Sequence, residues 1–227
     1  NLHRLDPDDR WRCVKGLVGA KERAGPPPRN FDEWMMANLG PGIADLFMRP
    51  YNRKVWAYPA DLMDFNWIDD RVAVPHLGET LESIATGRDK VEWGPNQVFR
   101  FPLRGGTGAV WAAIGRGLPP GRVHLGCRAD RIDPEESTAY DAEGNAWRYR
   151  YMISTMPLDR LIRMVPSIID PAADEALRFS STHILGFGMT GDPPERLREK
   201  NWVYFPEPGS PYYRTTVFSN YSPNNVA

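Results

Sequence analysis

The sequence predicts a mixed α+β or α/β fold that is helical up to about residue 90 and combines helices with antiparallel strands beyond it. Three observations support this prediction. Apolar residues recur at helical spacing through the first part of the chain. Proline and glycine divide that part into separate helices. In the later part, short alternating segments are separated by turns rich in glycine, proline and asparagine, as in hairpins.

The first two helices begin at capping residues. Asp6 followed by Pro7 is typical of an N-cap with proline at the first helical position, and we expect this helix to end near Gly25. Asn30 opens a second helix in a capping-box-like arrangement. Gly40 should close that helix, because glycine is favoured just beyond a helix end.

A third helix should open at Pro41 and end at Pro50, because proline lacks an N–H and clashes with the preceding turn. The six residues that follow, YNRKVW, combine aromatic rings, an amide and two cations. A planar ligand such as a nucleobase can stack on such rings and bond to the amide. The alternative is a junction between helices with a half-buried tryptophan. Beyond Pro59 we expect a short turn and a further helix around Trp67.

The later part of the chain alternates between helices and strands. The glycines of RGGTG (104–108) precede a helix that should end near Gly117, and they suit either a tight turn or a close approach to an anion or cofactor. A strand pair should turn at 143–145, a helix should cover 157–165, and 182–191 alternates like a strand. Two more strands are expected in 201–208 and 212–222, joined by a loop rich in Pro, Gly and Ser.

Composition and charge exclude several classes of protein. The 227 residues have a net charge of -1, with 41% hydrophobic and 25% charged residues, which is ordinary for a soluble globular protein. No basic field favours nucleic acid, and no apolar run approaches the roughly 20 residues of a membrane helix. Cys13 and Cys127 form no CxxC and favour a reducing compartment. We therefore expect a cytoplasmic protein with no nucleic-acid or membrane partner.

Familiar catalytic motifs are weak in this sequence. GFGMTG (186–191) matches the dinucleotide pattern GxGxxG, but it lies in a predicted strand and no helix is expected to follow it. The four histidines show no metal-ligand spacing and no HExxH. Ser180, Ser181 and His183 lack the GxSxG context of a hydrolase triad. We expect no metal site and no hydrolase triad.

A second cluster of interest lies in WVYFPEPGSPYYRTT (202–216). Trp202 and Tyr204 alternate on one predicted strand, so their side chains share a face. Arg214 lies on the following strand, opposite them. A tyrosine hydroxyl and a guanidinium that converge on one face suit a diphosphate. The alternative is an ordinary cross-strand aromatic cluster with an arginine at its edge.

Five stretches of the chain together resemble UDP-galactopyranose mutases, and more closely the fungal and other eukaryotic-type enzymes than the shorter bacterial type. These stretches are NFDEWMMANLGPGIADLFMRPYNRKVWAYP (30–59), WIDDRVAVP (67–75), WGPNQVFRFPLRGGTGAVW (93–111), SSTHILGFGM (180–189) and WVYFPEPGSPYYRTTVFSNYSP (202–223). They occur in order and with nearly constant spacing. Related flavoproteins of the amine-oxidase and protoporphyrinogen-oxidase class share only the looser architecture.

The resemblance implies an isomerase that interconverts UDP-galactopyranose and UDP-galactofuranose, a nucleotide sugar of cell-wall biosynthesis. It implies non-covalent FAD that works only when reduced, with flavin N5 as the nucleophile at the anomeric carbon, UDP as the leaving group and a flavin–sugar adduct between them. The family's N-terminal strand–GxGxxG–helix unit and its C-terminal third have no counterpart in these residues. We therefore expect an internal fragment with an incomplete FAD site, inactive by itself.

The resemblance also implies roles for individual residues, in four groups. The uridine-binding positions are matched by Phe47, Asn52 and Trp56. Two catalytic residues on mobile flaps near the sugar are matched by Arg71 and Asn96. Positions around the diphosphate and sugar are matched by Trp202, Tyr204 and Arg214. The lining of the adenine dinucleotide is matched by Ala129, Ser154, Thr155 and Met156. The two cations beside the uridine site, Arg53 and Lys54, are expected to be solvated.

Three segments follow from this interpretation: a helical nucleotide-binding domain at 1–92, a return segment of the FAD-binding domain at 93–170, and part of an antiparallel substrate-binding sheet at 171–227. The expected partner is UDP-galactose, and the oligomeric state stays open, a homo-oligomer included. One alternative is another FAD-dependent oxidoreductase of the amine-oxidase class. The other is a non-catalytic nucleotide-sugar-binding module. An amine oxidase has no need for the two aromatic clusters together with Arg214, which separates the first alternative from a mutase.

Overall fold

The computed structural model describes residues 1–22, 25–68, 71–89, 98–165, 167 and 177–225. The helices in these ranges are α1 (Pro7–Glu22), α2 (Phe31–Ile43), α3 (Arg49–Trp56), α4 (Leu77–Thr86), α5 (Gly106–Arg116) and α6 (Leu158–Met164). The strands are β1 (Ala129–Asp133), β2 (Thr138–Asp141), β3 (Ala146–Arg148), β4 (Trp202–Tyr204) and β5 (Arg214–Thr216). Both sheets are antiparallel. The predicted mixture of helices and antiparallel strands is confirmed.

The chain forms two compact units. The first contains residues 1–109 and 182–227, and the second contains residues 110–181. The helical segment predicted at 1–92 and most of the sheet segment predicted at 171–227 therefore fall in the same unit. The assignment of three separate domains stays a prediction.

Capping side chains start α1 and α2 where the sequence predicted them. Asp6 accepts hydrogen bonds from the backbone N–H groups of Asp8 and Asp9 at 3.0 and 3.1 Å. The hydrogen bond from Asp9 is the main reason that the pKa of Asp6 lies below its ordinary value. Asn30 accepts from the backbone N–H of Glu33 at 2.9 Å. These bonds satisfy N–H groups that have no partner inside the helix.

Glycine allows α1 and α2 to cross with their backbones in contact. Gly40 interrupts α2 as predicted, because its φ of 73° is left-handed. A Cβ on Gly42 would overlap the Arg12 carbonyl, so α1 tolerates no side chain at that position. Leu17 of α1 is fully buried beside this crossing. The crossing fixes the direction in which α2 leads the chain toward α3.

Pro50 does not end the third helix, so that prediction was wrong. A π-helical turn, Ala44–Met48, follows α2 and leads directly into α3. Pro50 lies in the first turn of α3, where an N–H would have no partner inside the new helix. The helix therefore continues through the ring-rich segment and ends at Ala57, which has a left-handed φ of 52°.

The helices of the first unit enclose a compact apolar core. The buried side chains of this core are Phe31, Met35, Leu39, Ala44, Met48 and Ile68. The partly buried side chains packed against them include Trp34, Phe47 and Trp67. Ala44 and Met48 of the π-helical turn belong to this core. Their packing fixes the position of the turn and of the start of α3.

The strand predicted at 182–191 does not form, and that prediction was wrong. The segment makes no strand ladder in the described part of the chain, and its side chains lie exposed: Ile184 is 87% and Phe187 is 81% accessible. A strand needs a neighbouring strand to receive its backbone hydrogen bonds. Glycines of the GxGxxG pattern lie in this extended segment, and the only helix close after them is the short 3₁₀ turn Glu195–Leu197 within the described ranges.

The second unit contains a three-stranded meander, β1–β2–β3, and α6. The turn between β2 and β3 falls at 143–145 as predicted. Asp141 stabilises it by accepting hydrogen bonds from the side chains of Asn145 at 2.9 Å and Trp147 at 3.0 Å. These bonds, that from Asn145 foremost, hold the pKa of Asp141 well below its usual range. Among the described helices of the chain, none combines the length and apolar character required to cross a membrane.

Candidate functional site

The outer face of α3 and the β4–β5 hairpin meet through four aromatic rings. We call this group the aromatic junction: Phe47, Tyr51, Tyr204 and Tyr213. Phe47 and Tyr51 stack with their centroids 5.2 Å apart and their planes at 8°. Tyr51 meets Tyr204 edge to face at 5.3 Å and Tyr213 at 6.1 Å. The two clusters that the sequence singled out separately are therefore in direct contact, through Phe47 and Tyr51 of the first and Tyr204 and Tyr213 of the second.

Tyr51 is the central residue of the aromatic junction. The sequence placed it in the first cluster but gave it no role. It lies one helical turn after Phe47, so both rings project from the same side of the helix. The partner rings come from a hairpin about 150 residues later in the chain. Such a long-range partnership leaves no local signal, although the four-residue spacing of Phe47 and Tyr51 indicates a shared helix face.

Burial raises the pKa of Tyr51 to about 12. It also raises the pKa of Tyr204, against the opposing effect of the nearby Arg214 cation. Tyrosine is neutral at physiological pH even at its ordinary pKa of about 10, and burial favours the neutral form further in both residues. A neutral phenol can donate its proton in a hydrogen bond to an anionic ligand.

Arg214 lies directly opposite Tyr204 in the β4–β5 register, as the sequence predicted. Its guanidinium carbon lies 5.8 Å from the ring centroid of Trp202 and 6.0 Å from that of Tyr213. Arg214 is exposed. The hairpin therefore presents a cation beside a tyrosine hydroxyl, with aromatic rings that limit the positions the cation can adopt.

Trp202 joins the hairpin to a second aromatic cluster in the same unit. Its ring stacks on Phe99 with a centroid distance of 5.6 Å. Phe99 in turn packs on Tyr221 at 4.9 Å. Ser222 donates to the Leu103 carbonyl at 2.7 Å and ties the two backbone segments together. Trp202 is thus stabilised by stacking on Phe99, and Arg214 lies beside its ring.

Asn52 and Trp56 lie on the neighbouring stripe of α3. Asn52 is buried, and its side-chain amide donates to the Met48 carbonyl at 2.8 Å. Trp56 is 36% exposed and meets Trp67 edge to face at 5.3 Å. The structure thus brings Phe47, Tyr51 and Tyr204 together. Trp56 packs separately against Trp67, and Asn52 is buried beneath the helix surface.

Of the two predicted flap residues, the structure describes Arg71 but not Asn96. Arg71 is exposed, and its guanidinium donates to the Trp67 carbonyl at 2.7 Å. It therefore lies near the Trp56–Trp67 pair. Asn96 falls outside the residues that the structure describes.

The predicted cofactor residues lie in the second unit. Ala129 begins β1 and pairs with Asp141 of β2. The Ser154 hydroxyl oxygen is buried and has no hydrogen-bond partner among the described residues. Thr155 is exposed and Met156 is half-buried. An unpaired buried hydroxyl is costly, so this position suits contact with a polar group supplied from elsewhere.

Lys54 is half-buried and bound to the hairpin loop, whereas the prediction was a solvated side chain. Its ammonium donates to the backbone carbonyls of Phe205, Glu207 and Tyr212. Arg53 is exposed, as predicted. The sequence gave no sign of the Lys54 contacts, because the acceptors are main-chain groups and carry no residue signature.

Comparison with solved structures gives a match over the whole chain. No family model matches the chain. A solved structure described as the crystal structure of reduced UDP-galactopyranose mutase matches it with a TM-score of 0.87 and 43% sequence identity. The match covers 100% of this chain and 51% of that protein's chain. The resemblance seen in the sequence is therefore confirmed from end to end, and the chain spans about half the length of the protein it matches.

Proposed function

We propose, since the chain belongs to the UDP-galactopyranose mutase family, that the protein containing it is an isomerase that interconverts UDP-galactopyranose and UDP-galactofuranose. The single observation that carries this proposal is the meeting of α3 with the β4–β5 hairpin. There Tyr51 contacts Tyr204, and Tyr204 lies opposite Arg214. A ring-rich helix face next to a cation and a phenol supplies what a nucleoside diphosphate needs.

The nucleoside end of the substrate would bind at α3. Phe47 and Trp56 offer apolar rings for stacking. Asn52 uses one amide N–H to hold the Met48 carbonyl. The amide also carries a second N–H and an oxygen, which complement the carbonyl and N–H groups on the edge of uracil. The hydrogen bond to Met48 fixes the orientation in which Asn52 would present them.

The diphosphate would bind at the hairpin. Arg214 supplies a planar guanidinium that can contact two phosphate oxygens at once. Tyr204 supplies a neutral phenol, and burial raises its pKa above the ordinary value. When the bond between the sugar and UDP breaks, negative charge develops on the diphosphate. The cation and the phenol would stabilise that charge in the leaving group. Trp202 would border the diphosphate and sugar.

Arg71 and Asn96 would complete the site around the sugar. Arg71 is exposed next to Trp67, from which a movement toward the substrate would couple closure to the exclusion of water. Water exclusion matters because water could otherwise attack the anomeric carbon when the bond to UDP breaks, and the sugar would then be lost as the free sugar. The role of Asn96 stays a prediction from the resemblance.

The family implies FAD, which in its reduced form would supply the nucleophile for the anomeric carbon of the sugar. The residues of the second unit fit such a group at one position. Ser154 has a buried hydroxyl that needs a partner, and Thr155 beside it is exposed. Ser154, Thr155, Met156 and Ala129 would hold the adenine dinucleotide.

Titration of the complete open reading frame with UDP, followed by tryptophan fluorescence, tests the substrate assignment. Trp56→Ala should weaken UDP binding, since one face of the nucleoside site is lost. Trp11→Ala is the matched control, because Trp11 is 64% exposed on α1. If the wild-type protein binds no UDP, the proposed function is wrong. If Trp56→Ala binds UDP as tightly as the wild type, the uridine assignment is wrong. Oxygen consumption with amine substrates would instead favour the amine-oxidase class.

A further inference from the structure

The Lys54 ammonium contacts the loop that connects the two strands of the β4–β5 hairpin. Its Nζ donates to the carbonyl oxygens of Phe205 at 2.8 Å, Glu207 at 2.5 Å and Tyr212 at 3.4 Å. An ammonium has three N–H groups, so these three acceptors use all of its donors. Lys54 therefore serves the backbone of the hairpin loop and has no donor left for a phosphate.

The hairpin depends on support from outside its own strands. Its ladder has three residue pairs, from Trp202–Thr216 to Tyr204–Arg214, and one further backbone hydrogen bond flanks it at each end, from Phe205 to Tyr213 and from Val217 to Asn201. The loop between the strands contains three prolines, at 206, 208 and 211, and none of them has an N–H to donate. An isolated two-stranded hairpin is marginally stable in water. The position of Tyr204 and Arg214 must therefore come largely from what the hairpin contacts.

Two contacts join the hairpin to α3, one at Tyr204 itself and the other at the loop between Tyr204 and Arg214. Tyr51 packs against the ring of Tyr204 from within the aromatic junction. Lys54 holds Phe205, the residue directly after Tyr204, together with Tyr212, two residues before Arg214. Both supports project from the helix that carries the proposed nucleoside site. The distance between the two halves of the site is therefore set by α3 itself.

We propose that Lys54 is a positioning residue that fixes Tyr204 and Arg214 at the correct distance from the nucleoside-binding surface of α3. This inference rests on the proposed function. Loss of the Lys54 bonds would let the hairpin shift against α3. A displacement on the order of 1 Å at a binding or catalytic group can cost on the order of 100-fold in rate. The shift would affect the diphosphate contacts and leave the nucleoside contacts on α3 in place.

Calorimetric titration of the complete protein with UDP and with uridine separates these two effects. Lys54→Met should raise the Kd of UDP by about 10- to 100-fold, and it should leave the Kd of uridine within about threefold of the wild type. Arg53→Met is the matched control, because it removes a neighbouring exposed cation and should change neither Kd. An unchanged Kd for UDP in Lys54→Met would overturn the inference. Equal losses for UDP and uridine would also overturn it.

Lys54→Arg separates geometry from charge. The guanidinium keeps the positive charge, but its planar donors do not match three carbonyls that converge on one point. We expect weaker UDP binding with normal uridine binding. Wild-type affinity for UDP in Lys54→Arg would show that charge alone suffices and would contradict the positioning role. If Lys54→Met does not fold, the Kd values of UDP and uridine for Lys54→Arg test the positioning role instead.

The failure of the proposed function would look different from the failure of this inference. A wild-type protein that binds no UDP refutes the proposed function. A wild-type protein that binds UDP, with Lys54→Met binding it equally well, refutes only the role of Lys54.

Discussion

Replacement of Arg214 by glutamine tests whether the hairpin cation serves a ligand or only the fold. Glutamine keeps a polar side chain of related shape but removes the charge. In the free protein the guanidinium interacts with the rings of Trp202 at 5.8 Å and Tyr213 at 6.0 Å. Cation–π pairs at exposed sites contribute about 0.5–1 kcal/mol each. The fold should therefore lose about 1–2 kcal/mol, a decrease in Tm of a few degrees for a chain of this size.

The expected effect of Arg214→Gln on ligand binding is larger. Hydrogen bonds to charged groups contribute about 1.5–3 kcal/mol, and each 1.4 kcal/mol is a factor of about ten in Kd. The Kd of UDP should therefore rise by about 10- to 150-fold. Calorimetry and thermal unfolding of the complete protein measure the two effects side by side. Arg198→Gln is the control, because the contact described for the Arg198 side chain is a surface ion pair with Glu195 at 3.2 Å.

The outcome for Arg214→Gln distinguishes two interpretations. If Arg214 is an edge arginine that only supports its aromatic neighbours, Tm falls while the Kd of UDP changes by less than about threefold. That result would refute the assignment of the diphosphate to the hairpin.

Two further predictions concern the fold that supports the site. Gly42→Ala should destabilise the protein by about 1–3 kcal/mol, because a Cβ there would overlap the Arg12 carbonyl. Gly19→Ala on α1 meets open space and should be neutral or stabilising; equal Tm values for the two variants would contradict the close crossing. Tyr51 contributes to stability through its neutral phenol, since burial raises its pKa from 10.0 to about 12. That contribution is complete below pH 10 and is lost as the pH rises through about 12. Denaturant unfolding in this alkaline range should show a steeper loss of stability in the wild type than in Tyr51→Phe, and parallel curves would contradict it.

The features that the sequence predicted correctly depend on local signals. Asp6 and Asn30 cap helices through bonds to residues two or three positions later, so a short stretch contains all the information. The placement of Arg214 opposite Tyr204 follows from the alternation of side chains along two short strands and the loop between them.

The errors arise where distant or neighbouring structure overrides a local rule. Pro50 normally ends a helix, but the π-helical turn before it places the proline at the start of a new helix. The alternation in 182–191 is typical of a strand, yet a strand forms only beside a partner. Lys54 resembles a solvated lysine because its acceptors are backbone carbonyls more than 150 residues away. Tyr51 was assigned no role for the same reason, since its partners Tyr204 and Tyr213 belong to the hairpin.

The central claim is that the protein containing this chain converts one UDP-sugar into the other. The direct measurement supplies UDP-galactofuranose to the complete protein loaded with FAD and reduced with dithionite, and separates the nucleotide sugars by chromatography. We predict that UDP-galactopyranose accumulates with the reduced protein and that Arg214→Gln forms it more slowly. Recovery of unchanged UDP-galactofuranose from the reduced wild-type protein would contradict the proposed isomerase activity.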